Sequence, residues 1–174
     1  MKHTPILIIS IKNSQRINIL KERLEKLDLN YNTIIGIDGE KYNKKKRIEL
    51  IASQSDIIKN IGRKMAASEI GAAASHLKTY RYIIKNNIQQ CIIMEDDCFP
   101  SILFKEWAYS KIDLQDKQIF SFYSYANGFV HKRIWRTVLE KINIHKSKTH
   151  LFNSACYQIN INTCKKFIYK KKKL

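Results

Sequence analysis

No stretch of this chain stays apolar long enough to cross a bilayer. The longest hydrophobic runs, such as Ile6–Ile11 and Cys91–Met94, fall far short of the ~20 residues that a membrane-spanning helix needs. The opening Met1-Lys2-His3-Thr4-Pro5 leads into only a few apolar residues and shows no small-residue cleavage site, so neither signal peptide nor anchor is expected and the expected compartment is the cytoplasm. Paired cysteine motifs are also missing. Cys91, Cys98, Cys156 and Cys164 form no CxxC and have no histidine at zinc-finger spacing, which argues against a structural zinc site and for reduced, packed thiols. Acidic residues are scarce: 15 Asp and Glu face 32 Lys and Arg, for a net charge of +17. Such a balance suits nucleic acid, an anionic membrane surface or a phosphorylated substrate. It is also what a Lys/Ile/Asn-rich sequence from an A/T-rich genome would show. The charge is mostly Lys and spread along the chain, with tight blocks only at Lys44–Arg47 and Lys170–Lys173. No zinc finger, RNP-like aromatic motif or helix-turn-helix accompanies it, so nucleic-acid binding rests on charge alone.

What is present is the make-up of a globular protein. The 174 residues, 44% of them hydrophobic, suffice for one domain with a real core and show no internal repeat. Pro5–Ile11 (PILIISI) reads as a buried strand. Asn13 or Ser14 is placed to cap a helix in which Ile17, Leu20, Leu24 and Leu27 recur on one face. Tyr31–Ile37 follows as a second strand ending at Asp38-Gly39, and this opening β-α-β unit implies a parallel pair. Lys41–Lys64 is polar, with weak helical patches around Ile48–Ile51 and Ile57–Ile61. A clearer helix is expected from an N-cap at Ser68, with Glu69 at its positive end and Asn86-Asn87 stopping it. Gln89–Met94 is the next strand. A short helix over Ser101–Ser110, a strand over Gln118–Tyr125, a helix over Lys132–Ile142, a strand over Ser154–Ile161 and a helix over Thr163–Tyr169 complete the pattern. The alternation predicts an α/β fold with a largely parallel central sheet flanked by helices.

In open α/β sheets ligands bind beyond the carboxyl ends of the strands. Asp38-Gly39 and Glu95-Asp96-Asp97 stand at such ends. In extended chain Glu95 and Asp97 point to one face and Asp96 to the other. That pair suits a hard divalent cation, Mg²⁺ or Mn²⁺ rather than Zn²⁺ because the local donors are oxygens, and such an ion bridges a nucleotide diphosphate well. An acidic turn after a strand is equally common without any metal, and the triplet would serve a phosphohydrolase as well as a transferase. The other candidates are similarly open one by one. His76 is either a packed helical histidine or a functional one. Arg16, in the first turn of the first helix, is either a surface charge or a phosphate contact. Asp38 is either nucleotide-facing or simply the first residue of an Asp-Gly turn. His131, His145 and His150 suggest nothing specific, and Thr79, Tyr80 and Tyr82 read as packing.

Together the pieces say more. LIISIKNSQRINILKERLEKLDLNYNTIIGIDGE, SEIGAAASHLKTYRYIIKNN and CIIMEDDCFP, in that order, resemble glycosyltransferase family 25, which includes bacterial lipooligosaccharide β-galactosyltransferases. The family pattern of an Asn and an Arg after the first strand corresponds to Asn13 and Arg16. Its Asp-Gly strand end corresponds to Asp38-Gly39, and its Glu-x-Gly-Cys-x-x-Ser-His segment to Glu69, Gly71, Ser75 and His76, with Ala72 in place of the Cys. Its Glu-Asp-Asp corresponds to Glu95-Asp96-Asp97, and NSACYQINI sets Ala155 and Tyr157 in register with a later family strand. The resemblance implies a GT-A-like, Rossmann-like nucleotide-sugar fold and an inverting, metal-assisted hexosyl transfer. The implied donor is a UDP-sugar, most often UDP-galactose, and the implied acceptor a lipooligosaccharide or lipopolysaccharide glycan at the cytoplasmic face of the inner membrane. Peripheral contact with that anionic surface is a further expectation. It implies Glu95 and Asp97 as ligands of Mn²⁺ or Mg²⁺, Asp96 as a group positioning the donor sugar, Asp38 and Gly39 at the nucleotide, Arg16 at its phosphates, and Glu69 and His76 lining the site. The general base is left unassigned. Family members normally run well past the Ala-Tyr strand, so the chain is expected to be a single family domain lacking its C-terminal part, with slippage in the adenine-rich lysine tract as the suggested cause. Two alternatives remain: a remnant that binds nucleotide-sugar or an anionic surface without turnover, and a basic nucleic-acid-binding protein.

Overall fold

A computed structural model describes residues 2–42, 62–110, 112, 114–116, 119–121 and 155–169. Among them are strands β1 (Ile6–Ser10), β2 (Tyr31–Ile35), β3 (Gln90–Glu95), β4 (Ile119–Ser121) and β5 (Cys156–Asn160), with helices α1 (Arg16–Lys26), α2 (Ala67–Lys85), α3 (Phe104–Tyr109) and α4 (Ile161–Tyr169), and a 3-10 turn at Gly39–Lys41. The strands form one five-stranded sheet in the order β2-β1-β3-β5-β4. β1 runs parallel to both β2 and β3, whereas β5 is antiparallel to β3 and β4. Four strands therefore point one way and β5 alone runs against them, giving the expected mixed α/β, mostly parallel sheet between helices.

The alternation of side chains along the strands builds two cores, one on each face. Ile6, Ile8, Ile92 and Met94 pack with Ile17, Leu20 and Leu24 of α1 and with Phe104 and Ala108 of α3. Leu7, Ile9, Cys91, Ile93, Tyr157 and Ile159 point the other way, against Tyr80 and Ile83 of α2 and Ile161 and Cys164 of α4. All five β1 residues are buried, as befits a strand covered on both faces. Leu20 and Leu24, fully enclosed, each contribute about 2 kcal/mol to docking α1.

The element ends differ from the sequence expectation in instructive ways. α1 is capped at Gln15 without a side-chain bond; Asn13 instead takes a positive φ of 67°, the turn conformation that Asn tolerates well. α2 is capped at Ala66 rather than Ser68, which lies inside its first turn. Its orphan N–H at Ala66 is satisfied by Glu69 Oε2 at 2.7 Å, half of a capping box, since alanine has no acceptor to return the bond. Asn86 and Asn87 do end α2, Asn87 at a positive φ of 51°. β2 stops at Ile35, two residues early, and α4 begins at Ile161 immediately after β5 because Asn160 Oδ1 accepts from the Thr163 N–H at 2.8 Å. The patches around Ile48–Ile51 and Ile57–Ile61, the rest of the strand beyond Ser121 and the helix over Lys132–Ile142 lie outside the described residues.

The four cysteines are free and none is exposed, in keeping with reduced thiols. Burial pushes the Cys91 and Cys156 thiols well up and that of Cys164 up to about 12, so all three stay protonated and unreactive. Among the described residues no helix is long and apolar enough to cross a membrane.

Candidate active site at the strand ends

Strand register brings the candidate residues together. Ser10 pairs with Ile35 across β1 and β2, and Ile9 pairs with Glu95 across β1 and β3, so the carboxyl ends of the three parallel strands finish at one level. The reversed β5 meets them with its start: Met94 pairs with Cys156, and the Glu95 N–H donates to the Ala155 carbonyl at 2.7 Å. β3 ends at Glu95, and a turn closed by Cys98 N–H donating to the Glu95 carbonyl carries Asp96 and Asp97.

That turn changes which carboxylates belong together. Strand geometry placed Glu95 beside Asp97; instead Asp96 and Asp97 share Arg16, and Glu95 turns to α2. Asp96 is 5% exposed, accepting from the Ser10 hydroxyl at 2.7 Å and facing the Arg16 guanidinium at 2.9 Å. Asp97, half-exposed, lies 3.6 Å from the other arm of the same guanidinium. Glu95 Oε1 meets His76 Nε2 at 3.1 Å. Arg16 thus neutralises two carboxylates of the triplet, and the chain's own groups offset the repulsion between three adjacent acids. The cationic side chain also stands in the first turn of α1, where the helix dipole disfavours positive charge, an added reason for acids to gather there.

α2 ties the strand ends to one another. Gly71 and Ser75, one turn apart, face the end of β2. Ser75 Oγ accepts from the Ile37 N–H at 2.7 Å and donates to the Gly71 carbonyl at 2.7 Å. Gly39 rests directly on the start of the helix: a Cβ there would lie 1.8 Å from the Ala67 carbonyl oxygen. Lys78 adds a bond to the Ile35 carbonyl at 2.7 Å. The next residue after Ser75, His76, reaches across to β3 and β5. Its ring is buried, with Nδ1 2.8 Å from the Tyr157 hydroxyl, which lies 2.7 Å from the Tyr80 hydroxyl. Burial pushes the Tyr157 phenol well up and that of Tyr80 up to about 12, so both remain hydroxyls.

The predicted residues therefore separate into groups. Glu95, Asp96, Asp97, Arg16 and His76 form a connected set around the end of β3. Asp38 caps the 3-10 turn, accepting from the Glu40 N–H at 3.1 Å and facing Lys41 at 3.5 Å, and Gly39 serves the contact with α2. Glu69 is engaged elsewhere, holding Arg63 through both carboxylate oxygens at 2.6 and 2.9 Å as well as capping α2; these bonds pull its carboxyl down to about 2. Ser10, Ser75, Tyr80 and Tyr157 are additional members. Tyr80, taken as packing from its helical position, lies four residues after His76 and so beside it on one helix face, a spacing that was readable; the role of Ser10 follows only from the β1–β3 register.

No three His, Cys, Asp or Glu side chains converge among the described residues to form a metal cage. The donors do fit a cation shared with a substrate: Asp97 is half-exposed, Glu95 two residues before it is part-exposed, and Mg²⁺-type ions are commonly held by one or two carboxylates plus phosphate oxygens.

The model of glycosyltransferase family 25 (LPS biosynthesis protein) matches residues 3–174. The chain belongs to glycosyltransferase family 25. It is accordingly a glycosyltransferase of lipopolysaccharide biosynthesis, a class that takes a nucleotide-sugar donor and a glycan acceptor. No curated protein matches the chain. In this family member the motif residues acquire physical reasons: glycine where helix meets strand end, serine to hold the backbone after β2, and histidine to hold the first acid of the triplet.

Proposed function

We propose that this protein transfers a hexose, galactose in the first instance, from a UDP-sugar to a lipooligosaccharide or lipopolysaccharide glycan with inversion at the anomeric carbon. The observation that carries this reading is the pairing of Asp96 and Asp97 with Arg16, next to Glu95, at the carboxyl ends of the parallel strands, where α/β folds take nucleotides. Glu95 and Asp97 would hold Mn²⁺ or Mg²⁺, and that ion would supply positive charge to offset the charge of the departing UDP. Asp96, rigid between Ser10 and Arg16, is suited to orient the donor sugar, and the mostly exposed Arg16 is suited to turn an arm toward phosphate. The acceptor hydroxyl attacks the anomeric carbon as the bond to the diphosphate oxygen breaks, and its proton passes to a general base. Asp38 and Gly39 are assigned to the nucleotide side, and the net charge of +17 suits UDP and an anionic inner-membrane surface at its cytoplasmic face.

Calorimetric titration with UDP, with and without Mn²⁺, combined with UDP release from UDP-galactose in the presence of acceptor glycan, tests the reading. Mn²⁺-dependent UDP binding that falls at least about tenfold in Asp97→Ala is the expected result. UDP binding with no release under any condition would leave a binding protein and refute transfer. Undiminished transfer by Asp97→Ala in Mn²⁺ would refute the metal assignment.

A further inference from the structure

The hydrogen-bonded line Tyr80–Tyr157–His76–Glu95 is more ordered than packing requires. Both ring nitrogens of a buried imidazole are engaged, by Tyr157 on one side and Glu95 on the other. An ionised carboxylate can only accept, so Nε2 carries the hydrogen that faces Glu95. Nδ1 of the neutral ring is then an acceptor, and Tyr157 donates to it. The Tyr157 oxygen is left to accept from Tyr80, whose hydroxyl lies 2.7 Å away. Every hydrogen has a partner and the line runs in one direction, toward the acid at the end of β3. If the ring took the other tautomer, Nδ1–H would face the Tyr157 oxygen and a bare Nε2 lone pair would face the carboxylate, setting two acceptors against each other at 3.1 Å. Ring contacts keep the imidazole from turning away: its centroid lies 5.5 Å from that of Tyr157 and 6.4 Å from that of Tyr80.

We propose that Tyr157 is a positioning residue of the transfer site: its hydroxyl donates to Nδ1 of His76 and fixes the ring whose Nε2–H holds the Glu95 carboxylate in place for the donor. The role deepens the glycosyltransferase reading and rests on it for its consequence in catalysis, but the tautomer itself does not depend on that reading. The hydrogen bond made at one ring nitrogen of a histidine is what orients the group the other nitrogen serves.

The test is nitrogen NMR of the full, isotope-labelled chain at about pH 8, above the ordinary imidazole range, with the His76 signals identified by their loss in His76→Gln. The native protein is expected to show one neutral tautomer, Nε2–H. Tyr157→Phe, which removes only the hydroxyl, is expected to keep Nε2–H, because Glu95 still accepts from it, but to move the Nδ1 signal to that of an acceptor nitrogen without a donor, together with a fall in kcat of about 10- to 100-fold at nearly unchanged KM for UDP-galactose. Tyr80→Phe removes an equal volume from the same cluster and is expected to keep the native Nδ1 signal. A Tyr157→Phe protein with an unchanged Nδ1 signal overturns the proposal, as does an equal shift in both variants, which would make the effect one of packing. If the nitrogen signals behave as expected while no protein releases UDP, the positioning stands and the donor reading fails.

Discussion

Gly71→Ala opposes two effects whose magnitudes differ enough to decide the outcome. Gly71 lies within the first two turns of α2, and replacing a helical glycine by alanine ordinarily stabilises by about 1 kcal/mol. Here the new methyl would lie 2.6 Å from the Gly39 nitrogen and 2.7 Å from the Ile37 carbonyl oxygen. Restoring ordinary contact near 3.5 Å requires a shift of roughly 0.9 Å. Both obstacles are backbone atoms, so no side chain can rotate aside. Moving that segment stretches the 2.7 Å bond from Ile37 N–H to Ser75, worth about 1 kcal/mol, and overpacking adds about 1–3 kcal/mol. The clash wins, with a net loss of about 1–3 kcal/mol. For a chain of this size a loss of about 2 kcal/mol lowers Tm by roughly 4–8 °C. Urea unfolding and thermal melting measure it, with Ala72→Gly as the control on the exposed side of the same helix. The control is expected to lose about 1 kcal/mol through propensity alone. A Gly71→Ala protein as stable as the native one, or more so, would refute the close approach of Gly39 to α2 and with it the reason for glycine in this motif.

Asp96→Asn should cost about 1–3 kcal/mol in urea unfolding: the isosteric amide keeps the volume but loses the charge, and its NH2 must face either Ser10 or the Arg16 guanidinium, a loss reduced by the exposure of Arg16. Failure to destabilise would refute the contribution of the Asp96–Arg16 and Asp96–Ser10 contacts to the fold. Glu69, whose carboxyl is pulled down to about 2 by Arg63 and the Ala66 N–H, stabilises the fold above its unfolded value near 4.5 and loses that contribution as pH falls through about 2. Glu69→Gln should therefore weaken the native state by about 0.5–1 kcal/mol at neutral pH and flatten the acid limb of its stability curve; an unchanged acid limb would refute the ion-paired cap.

The local features legible in the sequence were those set by neighbours along the chain. Buried β1, the α1 face of Ile17, Leu20 and Leu24, the Asn86-Asn87 stop and the acidic end of β3 all follow from side-chain period and turn chemistry. Caps were the weaker part. Ser68 had the right chemistry for an N-cap, yet the helix begins earlier because Glu69 satisfies the Ala66 N–H and Gly39 docks on Ala67. Glu69, picked for the site by resemblance, is held at that end of α2 for the same reason. Tyr80 was read as packing because a helical period reports burial and says nothing of what a buried hydroxyl meets across the sheet.

By itself, then, the sequence determined the α/β alternation, the family and where the acids and histidines stand along the chain, since each depends on residue types and spacings along one strand of chain. Only the tertiary structure decided which of them lie together. The pairing of Ile9 with Glu95 aligns two strand ends so that Ser10 and Arg16 share Asp96, and reversed β5 carries Tyr157 to His76, 81 residues away in the chain. Extended-chain geometry alone would have joined Glu95 to Asp97. The turn after β3 gives Asp97 to Arg16 and Glu95 to His76 as partners, because register and strand reversal are properties of the sheet and no single segment encodes them.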